Sequence, residues 1–130
     1  MINFFSKYKV IFYSINFFMI VLYIFPGSLL GCIFLDDCDT QPQITSNFAL
    51  ISSNHFYIFV LISLVGFFTF KKKIKYLVTY LLFLSIFLEI THLIIPARNF
   101  QWEDMLGNFL GVVVVIFVYQ FINKYGNFKK

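Results

Sequence analysis

The chain has 130 residues and a mass of 15.4 kDa; 60% of the residues are hydrophobic, 12% are charged and the formal net charge is +4. A soluble domain has about 45–50% apolar and about 25% charged residues, so one small globule cannot bury this apolar set. The composition therefore excludes a soluble enzyme, a disordered chain and a nucleic-acid-binding domain. The basic residues form short clusters between apolar segments, as in membrane proteins.

Four apolar segments follow one another along the chain. The first is predicted to be a helix over about residues 10–25, with a kinked or interfacial continuation to residue 35 after Pro26 and Gly27. The other three cover residues 48–70, 76–95 and 105–122. None alternates with period two as a membrane β-strand does, so all four are predicted to be helices. Their short connections favour an up-down bundle of four transmembrane helices in one domain, residues 1–130.

The charged residues predict how this bundle lies in a membrane. Nine of the ten basic residues lie next to helix ends on the same side of the predicted bundle: Lys7, Lys9, Lys71, Lys72, Lys73, Lys75, Lys124, Lys129 and Lys130. The other side has Arg98 and Trp102 together with the acidic residues Asp36, Asp37, Asp39, Glu103 and Asp104. Because positive charge marks the cytoplasmic face, we expect both termini inside and the loops 36–43 and 96–104 outside.

Two cysteines, Cys32 and Cys38, lie near the expected outer face. The stretch that ends at Cys32 loosely resembles a lipoprotein cleavage site, but three later spans would make a lipid anchor redundant. A disulfide is the alternative outside the cytoplasm. We favour two unpaired cysteines, and the absence of a CxxC pair gives no support to a redox motif or a zinc knuckle.

Polar residues inside the apolar segments are candidates for a functional site. An ionisable side chain in a span costs roughly 2.5–3.5 kcal/mol on insertion, so a chain that keeps one usually uses it. His55, Glu89 and His92 fall within about 5–10 Å of the expected outer surface. Glu89 and His92 are three residues apart and share one helix face. Arg98, Asp104 and Asn108 flank this layer.

The last predicted helix carries a polar and small-residue stripe. Asp104, Asn108 and Gly111 recur at helical spacing, and Gly107 with Gly111 forms a GxxxG pattern that lets another helix approach closely. Each polar residue alone also has a purely structural interpretation, such as a hydrogen bond to a neighbouring backbone. Six polar groups from three helices in one layer favour a site instead.

The run from Leu88 to Arg98 and the run from Asp104 to Gly111 resemble the signature of the VanZ-like family. That signature has Glu, then a Pro-x-Arg turn, then Asp-x-x-x-Asn-x-x-Gly; the matching residues are Glu89, Pro96, Arg98, Asp104, Asn108 and Gly111. His92 stands where the family usually has Gln, and His55 corresponds to a family His that opens the second helix. The resemblance implies a small multi-pass protein of the bacterial cytoplasmic membrane, from a family named for teicoplanin resistance.

Two functions of different classes are predicted. In the first, the protein acts on or binds an envelope lipid, a phosphate-bearing carrier or a target related to glycopeptide antibiotics. Glu89, His92 and His55 would then be catalytic, while Arg98, Asp104 and Asn108 would bind the ligand. In the second, the protein is a non-catalytic membrane component that binds a partner, and the polar layer is structural glue. Whether the chain is an enzyme stays open at this point, as does its oligomeric state.

A metal site is the third and least favoured interpretation. His55, Glu89, His92 and Asp104 offer imidazole and carboxylate ligands. Only two histidines are present, and Glu-x-x-His recurs by chance. We therefore expect no metal and no other cofactor, and the lipid bilayer is the expected partner.

Overall fold

The computed structural model describes residues 4–126, with side chains from residue 7 onward. Five α-helices are present in that range: α1 (Phe4–Ile24), α2 (Leu29–Phe34), α3 (Ser53–Thr69), α4 (Ile74–Thr91) and α5 (Trp102–Gly126). A 3₁₀ turn at Lys71–Lys73 joins α3 to α4. Residues 4–126 contain no β-strand beyond an isolated bridge between Phe48 and Ile51. The predicted all-α class is confirmed over the described chain.

Three helical stretches are long and apolar enough to cross a membrane: Lys7–Ile24, Lys71–Thr91 and Trp102–Gly126. The fourth apolar helix, α3, has 17 residues, so it is about 26 Å long and slightly shorter than a hydrocarbon core of about 30 Å. Large apolar side chains cover the outside of the helices, among them Phe17, Phe68 and Phe117. Contiguous apolar surface of this kind is typical of contact with lipid rather than water.

The first apolar segment divides into two helices instead of forming one kinked helix. α1 ends at Ile24, and the chain then turns at Pro26 and Gly27, where Gly27 has φ of +80°. Ser28 begins α2 as its N-cap, because its Oγ accepts a hydrogen bond from the Gly31 N–H at 3.0 Å. The Pro-Gly pair therefore ends the helix and does not merely bend it.

The predicted ends of the later helices also differ from those in the structure. α3 begins at Ser53 rather than at residue 48, because Phe48 and Ile51 exchange two backbone hydrogen bonds at 2.9 and 2.7 Å in a tight turn. α4 ends at Thr91 rather than at residue 95, since a helix continued to Pro96 would place the proline ring against the carbonyl of His92. α5 exceeds the predicted 105–122 at both ends.

Cys32 and Cys38 form a disulfide, so the prediction of two unpaired cysteines is wrong. After α2 the chain reverses at Asp36, which has φ of +51°, and the Asp37 N–H donates to the Gly31 carbonyl at 3.3 Å. This reversal returns Cys38 to the side of α2 that carries Cys32. The Asp37 carboxylate accepts hydrogen bonds from the Thr40 hydroxyl and the Asp39 N–H, which lower the pKa of this exposed carboxyl.

Contacts between helix ends show which ends lie together. Tyr23, near the end of α1, contacts both His55 at the start of α3 and His92 just after α4. At the other end of the molecule, Phe67 of α3 packs on Tyr119 of α5. The end of α1, the start of α3 and the end of α4 therefore meet at one end of the helices, which we call the polar end. Apolar side chains fill the space between the helices below it: Met19, Phe59, Ile62, Leu81, Leu88 and Val112.

The closest helix pair is α3 and α5, and two glycines allow the approach. A Cβ atom on Gly107 would lie 2.7 Å from the carbonyl oxygen of Ser52, and one on Gly111 would lie 2.7 Å from that of Phe56. Real Cβ atoms keep a greater distance from oxygen, so only glycine fits at these positions. The GxxxG pattern thus sets the spacing of α3 and α5 next to the polar end.

Candidate functional site

The polar end contains the six polar residues that the sequence singles out. Glu89 and Asn108 have no exposed surface, and His55 and His92 are 5% and 2% exposed. Arg98 and Asp104 are half-buried at the rim. These side chains come from α3, α4, α5 and the segment that joins α4 to α5. His55 lies in the first turn of α3, whereas the sequence placed it two turns inside its helix, because α3 begins later than predicted.

Glu89 and His92 form a buried pair one helical turn apart. His92 Nδ1 lies 3.2 Å from Glu89 Oε1, and the backbone N–H of Gln101 donates to the same oxygen at 2.9 Å. His92 Nε2 contacts the carbonyl oxygen of Tyr23 at 3.1 Å. A carbonyl only accepts, so Nε2 carries a proton, and the Nδ1–Oε1 contact then holds one further proton between imidazole and carboxyl. Both ring nitrogens of His92 therefore contact groups within the protein.

His55 and Asp104 form the second close contact between ionisable groups. His55 Nδ1 lies 3.5 Å from Asp104 Oδ1, which is beyond normal hydrogen-bond length, and His55 Nδ1 makes no hydrogen bond within the protein. Gly107 makes this contact possible, because a Cβ there would lie 3.1 Å from the His55 Cβ. The glycine and the aspartate are three residues apart on α5, so the close approach of the helices brings Asp104 beside His55.

Tyr23 is central to the site, and sequence reasoning missed it. Its ring lies between the two histidines, with ring centroids 5.1 Å from His55 and 5.8 Å from His92. Its hydroxyl donates to Asn108 Oδ1. The prediction drew polar groups from three helices only, and it is wrong on this point, because α1 supplies a fourth. The position of Tyr23 near the outer end of the first predicted helix, close to the layer of the other polar groups, was the signal that could have identified it.

Arg98 binds the end of α1 rather than Glu89. Its Nη2 donates to the carbonyl of Leu22 at 2.8 Å and its Nε to the carbonyl of Phe25 at 3.2 Å. These are carbonyls that the last helical turn leaves without partners, and the positive charge also suits the helix end. Partial burial lowers the pKa of Arg98, while the nearby Asp104 and Glu89 carboxylates oppose that shift. Three of its five N–H groups remain for other acceptors.

Asn108 joins three helices. Its Oδ1 accepts from Tyr23 on α1, and its Nδ2 donates to the carbonyl of Ser85 on α4 at 3.2 Å. It has no exposed surface and does not line the cavity described next. The structure therefore gives Asn108 a role in helix packing and places it away from any ligand in that cavity.

A cavity of about 290 Å³ opens beside the polar end. Its wall has apolar side chains from α1, α2 and α3, such as Leu22, Leu29 and Ile58. Tyr23, His55, His92 and Arg98 form its polar part at the helix ends, and four further polar residues line it from the N-cap of α2, α3 and the loop before α3: Ser28, Gln41, Gln43 and Asn54. The loop before α3 covers one side, where Asn54 holds it by donating to the carbonyl of Pro42 at 2.7 Å and accepting from the Ile44 N–H at 3.0 Å.

The residues that could hold a metal differ from the set that the sequence suggested. His55, Glu89 and Asp104 offer ligand atoms that all lie within 4.8 Å of one another. His92 is outside this set, and its two ring nitrogens contact Tyr23 and Glu89.

No protein-family model matches the chain, and no curated protein or solved structure matches it either.

Proposed function

We propose that this chain is a VanZ-like protein of the bacterial cytoplasmic membrane that binds an envelope amphiphile with an anionic headgroup, such as a lipid or a phosphate-bearing carrier. The observation that carries the proposal is the cavity, whose apolar wall leads to Tyr23, His55, His92 and Arg98. An apolar wall that ends in a few polar groups suits a ligand with an apolar chain and a charged head.

The proposed membrane placement has four spans, with both termini in the cytoplasm and the polar end at the outer leaflet. The exposed lysines of the described chain all lie at the end opposite the polar end: Lys7, Lys9, Lys71, Lys72, Lys73, Lys75 and Lys124. Lys129 and Lys130 lie outside the described residues. The disulfide of Cys32 and Cys38 supports the same orientation, because disulfides persist on the oxidising side of a membrane.

The proposed ligand follows from size and charge. A volume of about 290 Å³ suits a headgroup or part of an acyl chain, at the lower end of the roughly 300–1,000 Å³ typical of ligand pockets. Arg98 keeps three N–H groups beyond those that bind α1, and a guanidinium matches phosphate or carboxylate oxygens. His92 lines the cavity and would supply an acid or a base to the bound molecule, whereas Glu89 has no exposed surface and would act through its contact with His92.

Native mass spectrometry in detergent tests the proposed binding. Delipidated protein is mixed with phosphatidylglycerol or with phosphatidylcholine of the same chains, and we expect preferential retention of the anionic lipid. Arg98→Gln should remove that preference. Lys75→Gln, an exposed charge change at the opposite end, is the matched control and should leave it intact. Equal retention of both lipids by the wild type would refute the proposal, as would a preference that survives Arg98→Gln.

A second candidate function is a non-catalytic membrane component that binds a partner, with the polar layer as structural glue. Arg98, His92 and Asn108 favour it, because each contacts the backbone carbonyl of another helix. Glu89→Gln separates the two candidates in cells. If the layer is glue, the variant lowers the abundance of the protein. If Glu89 acts in a site, the variant changes an envelope phenotype at normal abundance.

A further inference from the structure

We propose that His55, Glu89 and Asp104 bind a divalent first-row transition-metal cation, with Zn²⁺ as the best-matched ion. The three residues come from α3, α4 and α5, and their ligand atoms lie within 4.8 Å of one another. This site differs from the proposed amphiphile site and from the set of four ligands that the sequence suggested. Of the three proposed ligands, only His55 also lines the cavity.

Two of these three residues each have a buried side-chain atom without a hydrogen-bond partner in the protein. The two atoms are His55 Nδ1 and Glu89 Oε2, and they belong to residues that are 5% and 0% exposed. Among the described residues only two other buried side-chain atoms share this property, Asn16 Oδ1 and Ser63 Oγ. A buried polar atom without a partner is rare in native proteins, so two of them on residues of one cluster point to a bound ligand.

The charges of the cluster also fit a divalent cation. Glu89 and Asp104 bring two carboxyl groups into a mostly apolar surrounding, where an ionised carboxylate needs a counter-charge. Arg98 is the basic side chain at this end of the helices, but its guanidinium is bound to the carbonyls at the end of α1. A divalent ion balances both carboxylates with a neutral imidazole as the third ligand. Together with Arg98, the bound ion makes this end of the protein more positive, which favours an anionic headgroup in the cavity.

The donor set selects the class of ion. One imidazole nitrogen with two carboxylate oxygens suits Zn²⁺ and other first-row ions, whereas Mg²⁺ and Ca²⁺ prefer oxygen ligands alone. Zinc takes its ligands at about 2.0–2.2 Å, which places donor atoms roughly 3.4 Å apart in a tetrahedron. His55 Nδ1 and Asp104 Oδ1 are already 3.5 Å apart. The ligand atom of Glu89 already lies within 4.8 Å of the other two, so a small movement of its side chain would bring it to the same spacing.

The surroundings of the cluster hold the proposed ligands in place. Glu89 Oε1 accepts from the Gln101 N–H and contacts His92, so its orientation is fixed and Oε2 is left for an ion. Because Gly107 has no Cβ, α5 can pack closely against the His55 Cβ. Such outer contacts orient ligands in known metal sites, where their loss typically lowers affinity about 10–100-fold.

Metal analysis of the purified full chain, prepared with an affinity tag that contains no histidine, tests the site. After stripping with a chelator and loading with Zn²⁺, we expect about one tightly held equivalent per chain by mass spectrometry of the metal. Competition with a chromophoric zinc indicator then compares variants. His55→Gln, Glu89→Gln and Asp104→Asn should each weaken Zn²⁺ binding at least about tenfold. Glu103→Gln, an exposed carboxylate next to Asp104, is the control and should bind as the wild type does.

A second measurement keeps the test decisive if a variant does not fold. The thermal unfolding temperature of the wild type should rise with Zn²⁺ and stay unchanged with equal Mg²⁺, because only an ion that binds the folded state stabilises it. Wild-type protein that retains less than roughly 0.2 equivalents after loading and shows no thermal shift would overturn the proposal. Equal Zn²⁺ affinity in Asp104→Asn and Glu103→Gln would also overturn it. Neither result depends on lipid retention, so this proposal and the proposed amphiphile binding fail separately.

Discussion

Replacing Gly111 by alanine should destabilise the helix pair that carries the site. The new Cβ would lie 2.7 Å from the Phe56 carbonyl oxygen and 2.9 Å from the Phe59 Cβ. Both neighbours are fixed parts of α3, so the helices must separate by several tenths of an ångström. Overpacking of this kind costs about 1–3 kcal/mol. Alanine regains up to about 1 kcal/mol through its higher helix propensity, but an alanine that meets no neighbour regains it too, so we expect Gly111→Ala to be less stable than such a variant by about 1–3 kcal/mol.

Gly126→Ala is the matched control, because a Cβ there meets nothing within 4 Å. It adds the same methyl group to the same helix and should be neutral or slightly stabilising. Unfolding in mixed micelles with a rising fraction of dodecyl sulfate, followed by the fluorescence of the single tryptophan, Trp102, measures both variants. If Gly111→Ala unfolded at the same or a higher dodecyl sulfate fraction than Gly126→Ala, the close-packing argument for α3 and α5 would be refuted.

Three further predictions test other parts of the structure. Tyr23→Phe leaves Asn108 Oδ1 without its donor and should cost about 0.6–1.7 kcal/mol, the range measured for hydrogen bonds between membrane helices, in the same micelle assay. Reduction of the Cys32–Cys38 disulfide should lower stability by about 2 kcal/mol, as expected for a short closed loop, and no change on reduction would contradict that value. In cells, a membrane-impermeant maleimide should label Trp102→Cys but not Lys75→Cys, and external labelling at position 75 would contradict the proposed topology.

The existence of the apolar helices could be predicted because the apolar segments are long and the polar breaks between them are sharp. Their ends could not be predicted, because they depend on hydrogen bonds that composition does not encode. Phe48 belongs to an apolar run, yet its backbone pairs with Ile51 instead of entering α3. Pro96 was a visible signal for the end of α4, but its effect reaches four residues back, to His92. The Pro26-Gly27 pair produced a full break between two helices, whereas the predicted continuation was either kinked or interfacial.

The polar layer could be predicted for an energetic reason, since ionisable groups in apolar segments are costly and therefore noticeable. The same argument did not identify Tyr23, because tyrosine is common at membrane surfaces and carries no charge. Its part in the layer depends on two long-range contacts, with His55 and Asn108, that no local pattern shows. The disulfide could not be predicted from a local pattern either, because Cys32 and Cys38 meet only where the chain reverses at Asp36.

The two carboxyl oxygens of Glu89 have different surroundings, and this difference favours a functional role for the residue over a purely structural one. Oε1 contacts His92 and accepts from the Gln101 N–H, and these contacts alone would tie α4 to the segment before α5. A glutamine could supply one such acceptor without bringing an ionisable group into an apolar layer, where that group costs roughly 2.5–3.5 kcal/mol. The second oxygen, Oε2, has no partner in the protein. A purely structural role explains the contacts of Oε1 but leaves Oε2 buried without a partner. An ion shared with His55 and Asp104 would use both the charge of Glu89 and its second oxygen.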